Sequence, residues 1–260
     1  DVYKRQVGNT KKTVTYNYDN NGNIHSKFQG VEKSDDGEET ELEIKLLGLD
    51  DDSEIGAVYE YDVFNRLVKT YQGSNVISNV YNGEGNRVSK TVNGNTCKYL
   101  YEYDKIVLET DGEGNQTARN VYGTNLITRE SNDKKYTYHY NGHGDVTALT
   151  EKSGNIAAAY EYDPFGNITG ETENIENPYR YSGYEYDNET ELYYLKSRFY
   201  DAETARFIQE DTYRGDASDP LSLNLYTYCA NNPMTYVDTS GHSYYGTKYD
   251  SFEELYAATI

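Results

Sequence analysis

Tyrosines recur two residues apart along much of the chain, at Tyr16/Tyr18, Tyr59/Tyr61, Tyr101/Tyr103, Tyr136/Tyr138/Tyr140 and Tyr160/Tyr162. A period of two puts the members of such a set on one face of a β-strand. Asp or Asn usually follows the last tyrosine and can bond its own backbone to open a turn. A Gly-Asn pair soon after it supplies the positive φ of a tight hairpin. A short returning run then begins, such as Ile24 or Arg66-Leu67-Val68. Each unit therefore predicts a β-hairpin of about 20 residues. Only Ser251–Thr259 hints at a helical period, so the sequence predicts a nearly all-β chain.

The hairpin signal is an internal repeat. Tyr18-Asp19-Asn20-Asn21-Gly22-Asn23-Ile24 recurs as Tyr61-Asp62-Val63-Phe64-Asn65-Arg66-Leu67 and as Tyr81-Asn82-Gly83-Glu84-Gly85-Asn86-Arg87. It returns as Tyr140-Asn141-Gly142-His143-Gly144-Asp145-Val146 and as Tyr162-Asp163-Pro164-Phe165-Gly166-Asn167-Ile168. Asp111-Gly112-Glu113-Gly114-Asn115 is a weaker copy without the tyrosine. Gly22, Gly85, Gly144 and Gly166 are expected to sit at positive φ. On that local ground alone, Gly166→Val should cost roughly 1–2 kcal/mol.

Composition narrows the function. The 260 residues hold 24 Lys+Arg against 44 Asp+Glu, a net charge of −20. Binding nucleic-acid phosphates needs clustered basic residues, so that partner is excluded, and an anionic membrane surface is disfavoured. No apolar run is long enough to span a bilayer. Thirty-one tyrosines argue against disorder despite the polar composition. Cys97 and Cys229 are expected to be unpaired thiols. Val31–Ile55 holds eleven acids and two lysines. It includes Asp50-Asp51-Asp52 but lacks calcium-loop spacing, so it predicts a solvated hairpin extension or loop. Alternation of Leu42, Ile44 and Leu46 suggests some strand within it. Of the histidines, His139 and His143 flank a turn and cannot share a helical face as zinc ligands do. His25 and His242 likewise predict surface or turn positions. No phosphate loop or serine-hydrolase elbow occurs, and neither metal nor cofactor is expected.

The Tyr-Asp-x-x-Gly-Asn units resemble the YD repeats of the RHS (rearrangement hotspot) and teneurin-like superfamily. Further along, Tyr179-Arg180-Tyr181-Ser182-Gly183-Tyr184-Glu185-Tyr186-Asp187 leads into Leu192-Tyr193-Tyr194-Leu195-Lys196-Ser197-Arg198-Phe199-Tyr200-Asp201. Ala205-Arg206-Phe207-Ile208-Gln209-Glu210-Asp211, Asn224-Leu225-Tyr226-Thr227-Tyr228 and Asn231-Asn232-Pro233-Met234-Thr235-Tyr236-Val237-Asp238-Thr239-Ser240-Gly241 follow. In order and spacing this run resembles the RHS repeat-associated core domain. Residues 1–176 are thus expected to form the repeat array with residues 31–55 as an acidic insertion. Residues 177–242 would be the core, and 243–260 the start of a variable segment. Asp1–Gln6 fits neither pattern and is expected to be an assembly scar on a piece of a longer protein.

The resemblance implies an all-β fold in which repeated hairpins form part of a spiralling, shell-like sheet capped by the core. It implies a non-catalytic scaffold of a bacterial toxin-delivery protein, secreted or at the cell surface. Its partners would be a C-terminal toxin or effector, mostly outside these 260 residues, and the rest of the shell. An adhesion or carbohydrate-binding module, with a cell-surface glycan on the tyrosines, is an alternative. A self-cleaving core is another, since some members cut themselves just after it. By motif position the acids for that would be Asp211 and Asp238, with Arg206 orienting them and Asp201 nearby. A close carboxylate pair can share a proton and activate water. The chain departs from the family pattern, however, with Asp211-Thr212 and Asp238-Thr239 in place of Asp-Pro, and with His242 after Gly241. An uncut chain is expected, with Asp211 and Asp238 as turn residues.

Overall fold

The computed structural model describes residues 2–7, 10–31, 56–215, 218, 220–242 and 244–246. The expectations for residues 32–55, including the calcium-like acids and the Leu42/Ile44/Leu46 alternation, lie outside the described residues. So does Ser251–Thr259. The first strands are β1 (Val2–Val7), β2 (Thr10–Tyr18), β3 (Ile24–Val31), β4 (Ala57–Tyr61) and β5 (Leu67–Gln72). Next come β6 (Asn75–Tyr81), β7 (Arg87–Val92), β8 (Asn95–Glu102), β9 (Lys105–Asp111) and β10 (Gln116–Tyr122). β11 (Leu126–Ser131), β12 (Lys134–Tyr140), β13 (Val146–Glu151), β14 (Ile156–Tyr162) and β15 (Ile168–Glu173) complete one fifteen-stranded antiparallel sheet. Its strand order is the chain order, and β1 and β15 are its two ends. Residues 2–6 of the Asp1–Gln6 stretch, expected to fit neither pattern, lie in β1, which pairs with β2 and continues the sheet.

One device explains the repeat. In each turn the first Asp or Asn accepts two backbone N–H groups with its Oδ1. Asp62 takes those of Phe64 and Arg66 at 2.9 and 3.0 Å, and Asp163 those of Phe165 and Asn167 at 2.9 and 3.0 Å. Gly22, Gly85, Gly144 and Gly166 sit there at φ of 85, 88, 91 and 89°, as expected, and Asn65 takes the equivalent place at 60°. A one-residue register shift precedes Tyr18, Tyr61, Tyr81, Tyr140 and Tyr162, a bulge that re-aims the tyrosine. The tyrosine hydroxyl then reaches the preceding hairpin. Tyr61 donates to the Ile24 carbonyl (2.7 Å), Tyr81 to Leu67 (2.6 Å), Tyr140 to Leu126 (2.8 Å) and Tyr162 to Val146 (2.9 Å). Phenylalanine would fill the same space but remove that bond, although Leu67 O would keep Asn79 Nδ2 at 3.1 Å.

One reading of the repeat needs correction. Tyr103 does not share a face with Tyr101: it lies in a turn at φ 57° and is 91% exposed. β8 and β9 close directly, with Glu102 opposite Lys105, and the longer Asp-led turn is absent there. The Asp111–Asn115 copy forms the same Asx-stabilised turn, but it joins β9 to β10 at the opposite rim from the tyrosine-led copies.

The second layer is built from β16 (Glu185–Asp187), β17 (Leu192–Tyr194), β18 (Phe199–Asp201) and β19 (Arg206–Phe207). They form a four-stranded sheet, and β20 (Tyr236–Asp238) pairs with β21 (Tyr244–Gly246) in a separate ribbon. Leu192, Tyr194, Phe199 and Ile208 pack on Tyr16, Ile24, Tyr59 and Leu67 of the large sheet. Tyr181, Tyr184, Tyr193, Tyr200, Phe207 and Tyr228 form an aromatic centre of the core's own. The core meets the tyrosine-led rim of the sheet. Ile24 N donates to Ile208 O (2.8 Å), Val146 N to Arg180 O (3.1 Å) and the Tyr193 hydroxyl to Gly166 O (2.8 Å). Outside the sheets the described helical pieces are short 3-10 turns. Far-ultraviolet circular dichroism is expected to be strand-dominated, whereas a helix content of about one third would contradict this architecture.

Candidate functional site

The core's acids of interest gather around one guanidinium. The β17–β18 connection turns tightly, with Lys196 at φ 63° and Leu195 N donating to Arg198 O (2.9 Å). This places Arg198, 4% exposed, over the Phe207 ring at 3.7 Å. Arg198 Nη2 lies 2.8 Å from Asp211 Oδ2 and 4.0 Å from Asp238 Oδ2. Its Nη1 donates to Leu225 O at 3.0 Å, and its Nε donates to the Gly241 carbonyl. Asp238 Oδ1 accepts Gly241 N (2.7 Å) and Ser240 N (3.1 Å), which shapes the turn leading to that carbonyl. Gly241 has φ 76°, and a Cβ there would lie 2.6 Å from Leu195 O. Only glycine lets the two segments approach this closely.

His242 closes the cluster, its Nδ1 3.2 Å from Asp211 Oδ1. Burial pushes the Asp211 carboxyl up, but the His242 hydrogen bond and the Arg198 charge outweigh it and hold the group below the usual range. Arg198 is itself pulled down by burial, against Asp211 and Asp238. Chemically, the arrangement polarises the Gly241–His242 peptide carbonyl and holds carboxylates around the same guanidinium. It equally forms an ionic clasp on the chain where it leaves the core.

The structure brings Asp211 and Asp238 to one guanidinium, but that guanidinium belongs to Arg198. Arg206 is exposed on β19, its backbone opposite Asp201 and Thr227. Asp201 is held elsewhere, by Lys27 at 3.0 Å and by the backbone of Glu203 and Thr204. No sequence signal singles out Arg198, because Lys196 stands two residues before it in the same stretch and is the exposed partner of Asp104.

A cleft of about 760 Å³ is lined by Tyr59 and Gln72, by Glu171 and Glu173 of β15, and by Arg180 and Asp201 of the core. Its charges are largely paired, Asp201 with Lys27 and Glu173 with Arg180 at 3.1 Å. Tyr61, Tyr81, Tyr140 and Tyr162 are half-buried and donate their hydroxyls to backbone carbonyls. Cys97 and Cys229 are both free thiols. Among the described residues no group of three or more His, Cys, Asp or Glu is placed to hold a metal ion, and no helix is long and apolar enough to cross a membrane.

An open sheet of tyrosine-led hairpins with a tyrosine-rich core seated on one rim defines a YD-repeat shell protein. The chain belongs to the Teneurin YD-shell family, whose sequence profile matches residues 2–234. It is similar to the tRNA3(Ser)-specific nuclease WapA of Bacillus spizizenii, with 44% identity over 169 residues covering 62% of this chain and 7% of that protein. The tRNA nuclease WapA of Bacillus subtilis is 43% identical over 169 residues, with the same shares. The chain therefore spans about 7% of the length of these relatives. Among solved structures it resembles TcdB2-TccC3-Cdc42, with a TM-score of 0.57 and 20% identity, covering 90% of this chain and 13% of that one. A Photorhabdus luminescens Tc holotoxin pore gives a TM-score of 0.57 at 19% identity, with shares of 89% and 13%. At such identities the likeness is one of fold.

Proposed function

We propose that this chain is a stretch of wall and the end cap of a toxin-delivery shell, enclosing or presenting an effector that follows the cap. The observation that carries this reading is the seating of the core on the turns of one rim. The core bonds the Ile24, Val146 and Gly166 backbone there, and Lys196 reaches Asp104 at 2.6 Å. In this reading residues 1–176 are wall, 177–242 are cap, and 243–260 begin the effector-side segment. The tRNA-nuclease activity by which the WapA relatives are named supports a toxin as cargo, and the likeness in fold to a Tc holotoxin pore supports secretion or display at a cell surface. Limited proteolysis of the complete natural protein tests it. The segment after the cap is expected to resist protease until the repeats are cut. Its digestion before the repeats would overturn the proposal.

The Arg198 cluster carries a second reading, self-cleavage between Gly241 and His242. Water attack needs one carboxylate as base and one protonated as acid. Asp211 is held ionised by Arg198 and His242, and Asp238 Oδ1 is occupied by two backbone N–H groups. Thr212 and Thr239 also lack the fixed φ of proline. The chain is therefore expected at its full mass after expression. A product ending at Gly241 and abolished by Asp211→Asn would make the core a working aspartic autoprotease.

A further inference from the structure

His143 lies in the turn between β12 and β13, where Asn141 Oδ1 accepts the backbone N–H groups of His143 and Asp145 at 2.9 and 3.0 Å. Its ring stands between two acceptors. Nδ1 is 2.8 Å from Asp145 Oδ1, and Nε2 is 2.7 Å from the carbonyl of Pro233 in the core. A peptide carbonyl has no proton to give. Burial pushes the Asp145 carboxyl up, but His143, Asn141 Nδ2 and the Ser182 N–H outweigh it and hold it below the usual range. Both ring nitrogens must therefore carry hydrogen, which only the imidazolium does. The ring also packs on Tyr181, with centroids 5.4 Å apart.

We propose that His143 is a proton-operated latch between the repeat sheet and the C-terminal core, gripping the Pro233 carbonyl when charged and releasing it when neutral. Of its two bonds the one to the Asp145 carboxylate is charge-assisted and the stronger. A neutral ring keeps Nδ1–H, gives its other proton to solvent, and turns the Nε2 lone pair on the Pro233 oxygen. Asp145 and Asn141 face the ring from its own turn. Tyr181 and the Ser182 N–H approach from the start of the core, and the Pro233 and Tyr236 backbone from its later part.

The direction of the pH effect follows. Burial lowers the His143 pKa, but the Asp145 hydrogen bond and charge and the Pro233 carbonyl outweigh it and hold it above that of a free imidazole. A group raised by folding gives its full stabilisation below its unfolded value, about 6.5, and loses it as pH rises through the folded value. The core is thus held tightly in acid and loosened in alkali.

The test uses the whole chain. Imidazole nitrogen shifts followed by NMR from pH 5 to 9 should show His143 doubly protonated beyond the range of a free histidine. Amide exchange at residues 234–238, corrected for its intrinsic pH dependence, should report an opening equilibrium that grows by up to about tenfold per pH unit between the free and latched values. His143→Gln keeps an N–H donor without titrating and should abolish that pH dependence. A His143 ring that deprotonates at or below the free value overturns the proposal, whether or not the variant folds. The same pH dependence persisting in His143→Gln overturns it too.

Discussion

Arg87→Ala is expected to cost about 3–5 kcal/mol of unfolding free energy, because it strands buried acids without their cation. Arg87 is 1% exposed on β7, yet its partners come from the core. Its Nη1 lies 2.6 Å from Asp187 Oδ2, and its Nη2 lies 3.0 Å from Asp187 Oδ1 and 2.9 Å from Glu185 Oε2. The guanidinium also stands 4.5 Å from the centre of the Tyr194 ring. Lys90 reaches Asp187 at 3.0 Å and would compensate in part, but it does not hydrogen-bond Glu185. Urea unfolding measures the loss. Burial pushes the Asp187 carboxyl up, but Arg87 and Lys90 outweigh it and hold it down to about 2. A lowered carboxyl stabilises above its unfolded pKa and loses that contribution as pH falls through the folded one. Without Arg87 the acid transition therefore moves to higher pH. A variant with wild-type urea and acid midpoints would show that the Arg87 cluster does not join core to sheet.

Gly166→Val and Gly85→Val should differ although both glycines have the same turn role. At Gly85 an added Cβ meets open space, so only the left-handed backbone is penalised, by about 1–2 kcal/mol. At Gly166 the Cβ would lie 2.7 Å from Cδ1 of Tyr181, a 2% exposed ring at the centre of the core. Forcing that ring aside adds about 1–3 kcal/mol, the usual range for overpacking. The local estimate from the turn alone is therefore too small at Gly166. Thermal unfolding of the two variants compares them directly. Equal losses would mean that the core does not press on this turn.

The contrast shows what sequence could and could not disclose. Hairpins were legible because strand period, Asx turn and positive-φ glycine all lie within a few residues of one another. Asp62, Asp163 and their followers state their hydrogen bonds almost outright. Tyr101/Tyr103 misled because Tyr99, Tyr101 and Tyr103 keep one two-residue spacing, and nothing in that period marks the end of β8 at Glu102, where the strand closes directly on β9. Asp111 could not be assigned to a rim without counting every strand before it. In the core, Arg198 lies in the β17–β18 connection and Arg206 opens the two-residue β19, so no strand period separates the buried cation from the exposed one. The long-range partners were equally illegible: nothing near Arg87 in sequence points to Asp187, and nothing near His143 points to Pro233.

The pairing of each strand only with its chain neighbours has a kinetic side. Every ladder in the large sheet except β3–β4, whose connection runs from Val31 to Ala57, closes a short loop, which keeps contact order low and makes hairpin-by-hairpin growth fast. A nascent chain can therefore lay down sheet one hairpin at a time as it emerges from the ribosome, each tyrosine hydroxyl fastening the new hairpin to the last. The core works on another scale, since Asn23 meets Glu210 across 187 residues and Gly22 meets Tyr226 across 204. Those contacts await synthesis of the core. Until then the inner aromatic face stands open, and the seating of the core is the late, slow event in the life of the chain.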